Sequence, residues 1–272
     1  MPNDNLCVFE SLDGQITPAV QQSIALAQSA GSHLTLISAV RLTHAPTSMV
    51  ASSLVAGAIA TANDKAREVA RAAAKTAEEA ARIAGVNCTV ALQEDTLTGI
   101  AEWIGHRARI ADMTIVDRPV TVVDAPQAFF EDALFASGRP VLVASPDQCS
   151  KSIKRLAVAW NGSRVAARAL GDAVALFPTA QVDVIVVTGE KEKGVPGADV
   201  TQHLARRGIK ANLVNVHRGD SIAQTINQTA IQHEADAIVM GGFGHSRLRE
   251  FILGGVTLEL TATAKLPLFM SH

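Results

Sequence analysis

Two stretches of this chain repeat each other, and that duplication limits the fold more than any single motif. Residues 111–116 read Ala-Asp-Met-Thr-Ile-Val, and 235–240 read Ala-Asp-Ala-Ile-Val-Met, 124 positions later. Upstream, the turns at Gly85 and Gly208 lie 123 apart. Downstream, Arg139-Pro140-Val141-Leu142-Val143 matches Leu266-Pro267-Leu268-Phe269-Met270 at an offset of 127. The apolar starts Leu6–Phe9 and Leu156–Ala159 break into Leu12-Asp13-Gly14 and Trp160-Asn161-Gly162, at an offset of 150. A near-constant offset along the chain is the mark of two copies of one structural plan. The first copy carries extra residues, placed at 42–65. The polar stretch 145–151 separates a domain at 1–146 from one at 152–272.

Within each copy, short β-rich runs alternate with helical ones. The second copy predicts strands near 155–160, 182–188, 211–216, 236–240 and 267–271. Helices fit 163–176, 197–207, 220–233 and 256–264, the third opening on Asp220-Ser221 as an N-cap. Runs such as Val182-Asp183-Val184-Ile185-Val186-Val187 are apolar almost throughout, as expected for a parallel sheet covered on both faces. The predicted fold class is α/β: two tandem, doubly wound, mainly parallel five-stranded sheets. Ligands on such sheets sit beyond the carboxyl ends of the strands at the switch point, here after residues 160 and 240. The last strands, 140–144 and 267–271, fall at sheet edges. Apolar edges are normally paired or covered, so these two are expected to pair with each other. Residues 42–65, rich in Ala, Ser, Thr and Val, form a flap, a longer first crossover or a plain surface helix.

Composition narrows the function. A net charge of −2 and a pI near 6.4 argue against a nucleic-acid binder working through a concentrated basic face. Three scattered cysteines without a CxxC pair give neither a zinc ribbon nor a disulfide framework. The start lacks signal-peptide order and no apolar run reaches membrane-spanning length, so a cytoplasmic protein without membrane contact is expected. The eight histidines form no HExxH, there is no Gly-x-Ser-x-Gly elbow, and no nucleophile–base pair stands out. No metal site and no catalytic residue are predicted; slow ATP hydrolysis is the most chemistry expected.

The second copy contains one loop suited to a ligand. After the strand ending at Met240 come Gly241-Gly242-Phe243-Gly244-His245-Ser246-Arg247-Leu248-Arg249, then Gly254-Gly255-Val256-Thr257 and the last helix. Glycines let backbone amides approach a ligand closely, and a helix N-terminus favours anions. Thr257 adds a hydroxyl, and His245, Arg247 and Arg249 add cations or donors. The bland alternative is a tight turn with a glycine-mediated helix entry and no ligand.

The spacing Gly-x2-Gly-x9-Gly-Gly resembles the signature of nucleotide-binding universal stress proteins. Gly241, Gly244 and Gly254 match it, while Gly255 stands where that family usually has Ser or Thr. Ala159-Trp160-Asn161-Gly162-Ser163 and Gly244 to Glu250 are similar to the opening and close of tandem members. The resemblance implies the universal stress protein fold, akin to adenine nucleotide alpha hydrolases. It also implies an adenine nucleotide, ATP or AMP, with or without Mg2+. Asn161 takes the place of the family's adenosine-binding Asp. The implied binding set is Ala159, Trp160, Asn161, Val187, Gly241, Gly244, His245, Arg247, Gly254, Gly255, Val256 and Thr257. A nucleotide-dependent regulator, working as a homodimer of tandem chains, follows as the expected function. The alternatives are an interaction protein with a vestigial loop, and a weak ATPase or nucleotide-using enzyme.

The first copy reads differently at the same point. Asp117-Arg118-Pro119 follows Val116, and no glycine occurs between Gly105 and Gly138. Asp117 is expected to set a carboxylate where a phosphate would lie, and Pro119 removes an amide. That copy is expected to be structural.

Overall fold

The computed structural model describes residues 3–44, 53–121, 124–148, 152–188, 197–243 and 255–272. The first half runs β1 (Asp4–Phe9), α1 (Pro18–Ala30), β2 (His33–Arg41), α2 (Ser53–Ile83), β3 (Cys88–Asp95), α3 (Leu97–Arg107), β4 (Met113–Val116), α4 (Ala125–Ala136) and β5 (Val141–Val143). The second repeats the order with β6 (Arg155–Ala159), α5 (Arg164–Leu176), β7 (Gln181–Thr188), α6 (Ala198–Arg206), β8 (Ala211–His217), α7 (Ile222–Gln232), β9 (Ala237–Gly241), α8 (Gly255–Thr263) and β10 (Leu268–Ser271).

Five parallel strands from each half join into one ten-stranded sheet, in the order β3-β2-β1-β4-β5-β10-β9-β6-β7-β8. The expected edge pairing is present: β5 meets β10 antiparallel, with Val143 opposite Leu268 and Val141 opposite Met270. The two five-stranded sheets are therefore continuous. Helices α1, α2, α5 and α6 cover one face and α3, α4, α7 and α8 the other, each burying an apolar layer. The strands are apolar on both sides because both sides are covered. Asp183 is the exception in β7; fully buried, it accepts from Arg155 Nη1 at 3.3 Å and Asn212 Nδ2 at 2.8 Å.

The repeated residues have structural explanations. Gly85 and Gly208 follow α2 and α6 with φ of 69° and 75°, left-handed turns that glycine adopts without strain. The repeated aspartates tie the fourth strand of each half to the first. Asp112 Oδ2 accepts from Asp4 N at 2.9 Å. Asp236 Oδ2 accepts from Lys154 N and Arg155 N at 2.8 and 2.9 Å. Ser221 is the cap expected for the third helix, its Oγ accepting from Gln224 N at 2.9 Å. Much of the extra length of the first copy lies in α2, 31 residues against nine in α6. Residues 54–69 of α2 are exposed or half-exposed, and burial begins at Ala70, so the surface-helix reading holds for the described part of 42–65.

The halves also grip each other crosswise. Arg118, just past β4, donates to the carbonyls of Ala264 and Leu266 at the end of α8. Ser145 Oγ donates to Lys265 O at 2.6 Å. In the opposite sense, Arg168 of α5 donates to Gly138 O beyond α4.

Asp117 carries a further consequence. Its Oδ1 accepts from Ala19 N in the first turn of α1 at 2.8 Å. Burial pushes its carboxyl up from 3.8 to about 6, against the lowering effect of that amide. A folded-state value above the unfolded one stabilises fully below about pH 4, and that contribution is lost as pH rises through 6. The gap corresponds to roughly 3 kcal/mol. Asp117→Asn keeps the acceptor for Ala19 and removes the ionisation. We predict that it gains stability relative to wild type between pH 4.5 and 7.5, by about 2 to 3 kcal/mol. Urea unfolding across that range checks this, and parallel curves for the two proteins would refute it.

Candidate functional site

In each half the strand order reverses between the first and fourth strands, β1/β4 and β6/β9. Beyond their carboxyl ends lie the N-termini of the first and last helices, α1 and α4 in one half and α5 and α8 in the other. Unpaired N–H groups at such ends attract anions. The two halves meet this demand differently.

In the first half the amides are supplied from within. Asp124, the N-cap of α4, accepts from Val120 N, Thr121 N and Gln127 N at 2.7, 2.8 and 2.9 Å. Three converging amides make an anion cradle, and a side chain of the same chain fills it. Asp117 does the same for α1. Glu10 adds a third acidic group just past β1; burial pushes its carboxyl up, while Arg41 at 3.3 Å acts in the opposite direction. The expected loss of a cradle is thus refined: the amides converge, but on an internal carboxylate.

Among the described residues of the second half, no carboxylate takes these places. Gly241 holds the place of Asp117, and a Cβ there would lie 2.5 Å from Val165 Cγ2 and 2.7 Å from Ala166 N. The end of β9 thus packs directly on the start of α5, where Ser163 Oγ accepts from Ala166 N at 3.2 Å. Gly241 therefore serves close strand–helix packing. At Gly242 a Cβ would meet Leu134 Cδ2 at 2.9 Å, a side chain from α4 of the other half. Gly255 differs from both, because a Cβ there meets none of the described residues within 4 Å. Gly255, the first residue of α8, is exposed.

Of the other predicted residues, Ala159, Val187 and Val256 are half-buried on the α7/α8 face of the sheet. Trp160, next along the strand, turns to the opposite face. It lines a cleft of about 360 Å3 between α5 and α6, beside Leu170, Val174, Val200 and Leu204. The structure therefore separates Trp160 from Ala159 and Val187. Asn161 is exposed, its Oδ1 accepting from Ser163 N at 3.1 Å in a local turn. Thr257 is buried within α8, only 5% exposed, so it is a poor substitute for a hydroxyl at the helix end. Gly244, His245, Arg247 and Gly254 lie outside the described residues, as does Arg249.

Sequence reading missed the residues that hold Gly242 and Phe243. Gly242 N donates to Ser271 O at 2.9 Å, and His272 Nδ1 lies 3.0 Å from Gly242 O. Phe243 is buried between Phe130 and Phe135 of the first half. No spacing in the sequence signals this, because the two aromatic partners lie more than 100 residues from Phe243. Among the described residues no group of three or more His, Cys, Asp or Glu is placed to hold a metal ion, and no helix is long and apolar enough to cross a membrane.

Residues 188–272 match the Universal stress protein family model. No curated protein matches the chain. Among solved structures, a universal stress protein from Archaeoglobus fulgidus is similar at 17% identity and a TM-score of 0.69, over 98% of this chain and 95% of that one. A candidate universal stress protein from Pseudomonas aeruginosa aligns at 18% identity and a TM-score of 0.53, over 99% and 93%. Another Pseudomonas aeruginosa protein, of unknown function, aligns at 16% and 0.54, over 99% and 92%. Identities this low carry the fold alone, and the fold extends over both halves. The universal stress protein family's sequence pattern thus lies in residues 188–272, and the fold of such proteins extends over both tandem halves of the chain.

Proposed function

We propose that the second half binds an adenine nucleotide, ATP or AMP, and that the chain acts as a cytoplasmic, nucleotide-responsive regulator. One observation carries this reading. The loop amides of Val120 and Thr121 and the helix amide of Gln127 gather on the Asp124 carboxylate at the start of α4, whereas Gly255 at the start of α8 is exposed, with none of the described residues within 4 Å of a Cβ placed there. The first half makes an anion cradle at this point, and on this reading the matching end of α8 takes an external anion. Ala159, Val187 and Val256, half-buried on the α7/α8 face, offer apolar contact for the rest of the ligand. A phosphate at that helix end gains from the helix dipole as well as from hydrogen bonds. His245, Arg247 and Arg249 supply further donors on this reading, with Mg2+ accompanying a triphosphate. No residue takes a catalytic role, and any turnover of ATP is slow.

A second reading is favoured by a specific observation. Gly241 and Gly242 are both accounted for by packing against Val165 and Leu134, without a ligand. On that view the chain is an interaction protein and the glycine segment shapes the junction between halves.

Two substitutions separate the readings. Gly255→Asp places a carboxylate at the exposed first residue of α8, one position inside the helix from where Asp124 stands in α4. We predict stability unchanged or raised by about 0.3–1 kcal/mol, and calorimetric binding of ATP with magnesium abolished. Wild-type protein giving no heat at millimolar ATP would leave only the interaction reading. Gly241→Ala is predicted to destabilise by about 1–3 kcal/mol with or without nucleotide, because its methyl group meets the α5 backbone. Thermal denaturation measures that loss, and an unchanged midpoint would contradict the packing role.

A further inference from the structure

The first two helices of each half cover the same face of the sheet, but they sit differently. In the first half they are tied together. Gln28 Nε2 of α1 donates to Ala84 O just past α2 at 3.0 Å, and a Cβ on Gly14, in the turn before α1, would lie 3.2 Å from Ala72 Cβ of α2. Among the described residues no hydrogen bond or ion pair joins α5 to α6. Gly197 shows where α6 goes instead. At φ 89° it starts the helix hard against the outer strands, where a Cβ would lie 2.9 Å from Val186 Cγ2 of β7 and 2.8 Å from Leu213 Cδ1 of β8.

The gap left beside α5 is a cleft of about 360 Å3, at the small end of ligand-binding cavities. Trp160 stands at the end near Gly197, its Cδ1 3.9 Å from a Cβ placed there. Leu170, Val174, Val200 and Leu204 make the apolar floor. Asp199, His203 and Arg207 follow at four-residue steps along one side of α6, and all three are exposed. Among the described residues the His203 and Arg207 side chains make no hydrogen bond or ion pair. Across the cleft, Gly171 lies inside α5, where glycine is less stable than alanine. A Cβ there meets none of the described residues within 4 Å, so packing does not require glycine. Its missing side chain keeps that side of the cleft open.

We propose that this cleft is a second ligand site, for a small elongated carboxylic acid with an aromatic body. The body lies along the apolar floor with its ring toward Trp160, and the carboxylate reaches Arg207 past His203. Asp199 and Arg207 are eight residues apart, about 12 Å along the helix. Asp199 repels an anion at the Trp160 end, so the charge of the ligand points to the Arg207 end. The site lies across the sheet from Ala159, Val187 and Val256 and does not rest on the nucleotide reading.

The test titrates 4-phenylbutyrate calorimetrically into the full chain, with 4-phenylbutanol as its uncharged counterpart. Wild type should bind the acid with a Kd on the order of 1 mM or below. The alcohol should bind about tenfold more weakly, the worth of a hydrogen bond to a charged group. Arg207→Gln, at an exposed position, should lower the acid to the level of the alcohol and leave the alcohol unchanged. Gly171→Leu should abolish binding of both by filling the cleft, with a thermal midpoint at or above that of wild type. Equal binding of acid and alcohol by wild type overturns the proposal. So does acid binding that survives in Gly171→Leu, or wild-type protein that takes up no acid.

Discussion

The antiparallel contact between β5 and β10 is the constraint from which the rest of the arrangement follows. Each half ends on a short apolar strand that would otherwise stand at an edge, with one row of N–H and C=O groups unpaired. Joining the two removes both edges at once, and all six paired residues from Val141 to Val143 and Leu268 to Met270 are fully buried. Direction matters as much as burial. Because the junction is antiparallel, the amino end of β5 lies beside the carboxyl end of β10. The C-terminus of α4 is thereby delivered to the carboxyl edge of the second half, and that of α8 to the carboxyl edge of the first. Arg118 on Ala264 and Leu266, and Phe135 on Phe243, are the two results of one geometric fact.

The halves share a backbone plan and differ in how they satisfy the same helix ends. Asp117 and Asp124 give the first half its own anions, and both are held by main-chain amides. This is self-sufficient but not free of strain, since burial raises Asp117 well above the usual carboxylate range. The second half replaces the first of these carboxylates with Gly241 and brings β9 against α5 instead. One exchange, carboxylate for glycine, converts a hydrogen-bonded junction into a packed one and removes a negative charge from the edge of the sheet.

Most of the architecture was legible because it depends on periodicity and repetition. Buried strands read as apolar runs, Ser221 reads as a cap, and the matching ends 140–144 and 267–271 identified partners for each other. What escaped depends on neighbours distant in sequence. Gly241 and Gly242 look like ligand-binding glycines, yet Val165 and Leu134 occupy the space that side chains would take. Trp160 adjoins Ala159 in sequence but faces the other way, as alternation in a strand requires. Register within the repeat also slipped. Leu6 pairs with Thr114, and the residue 124 later, Ile238, pairs with Ala157, so the first strands correspond at an offset of 151 and not 150. A one-residue shift exchanges the two faces of a strand, and apolar runs buried on both sides give no hint of it.

These contacts give the first half a structural part in the second. Removing it would leave β10 as a bare apolar edge and strip Gly242 and Phe243 of Leu134, Phe130 and Phe135. A single-copy protein would need a second chain to supply the same strand and helix. Fusion makes that supply intramolecular, so it does not depend on protein concentration. The internal carboxylates then follow naturally. A half kept for its strand and helix needs filled helix ends more than empty ones, and Asp117 and Asp124 fill them.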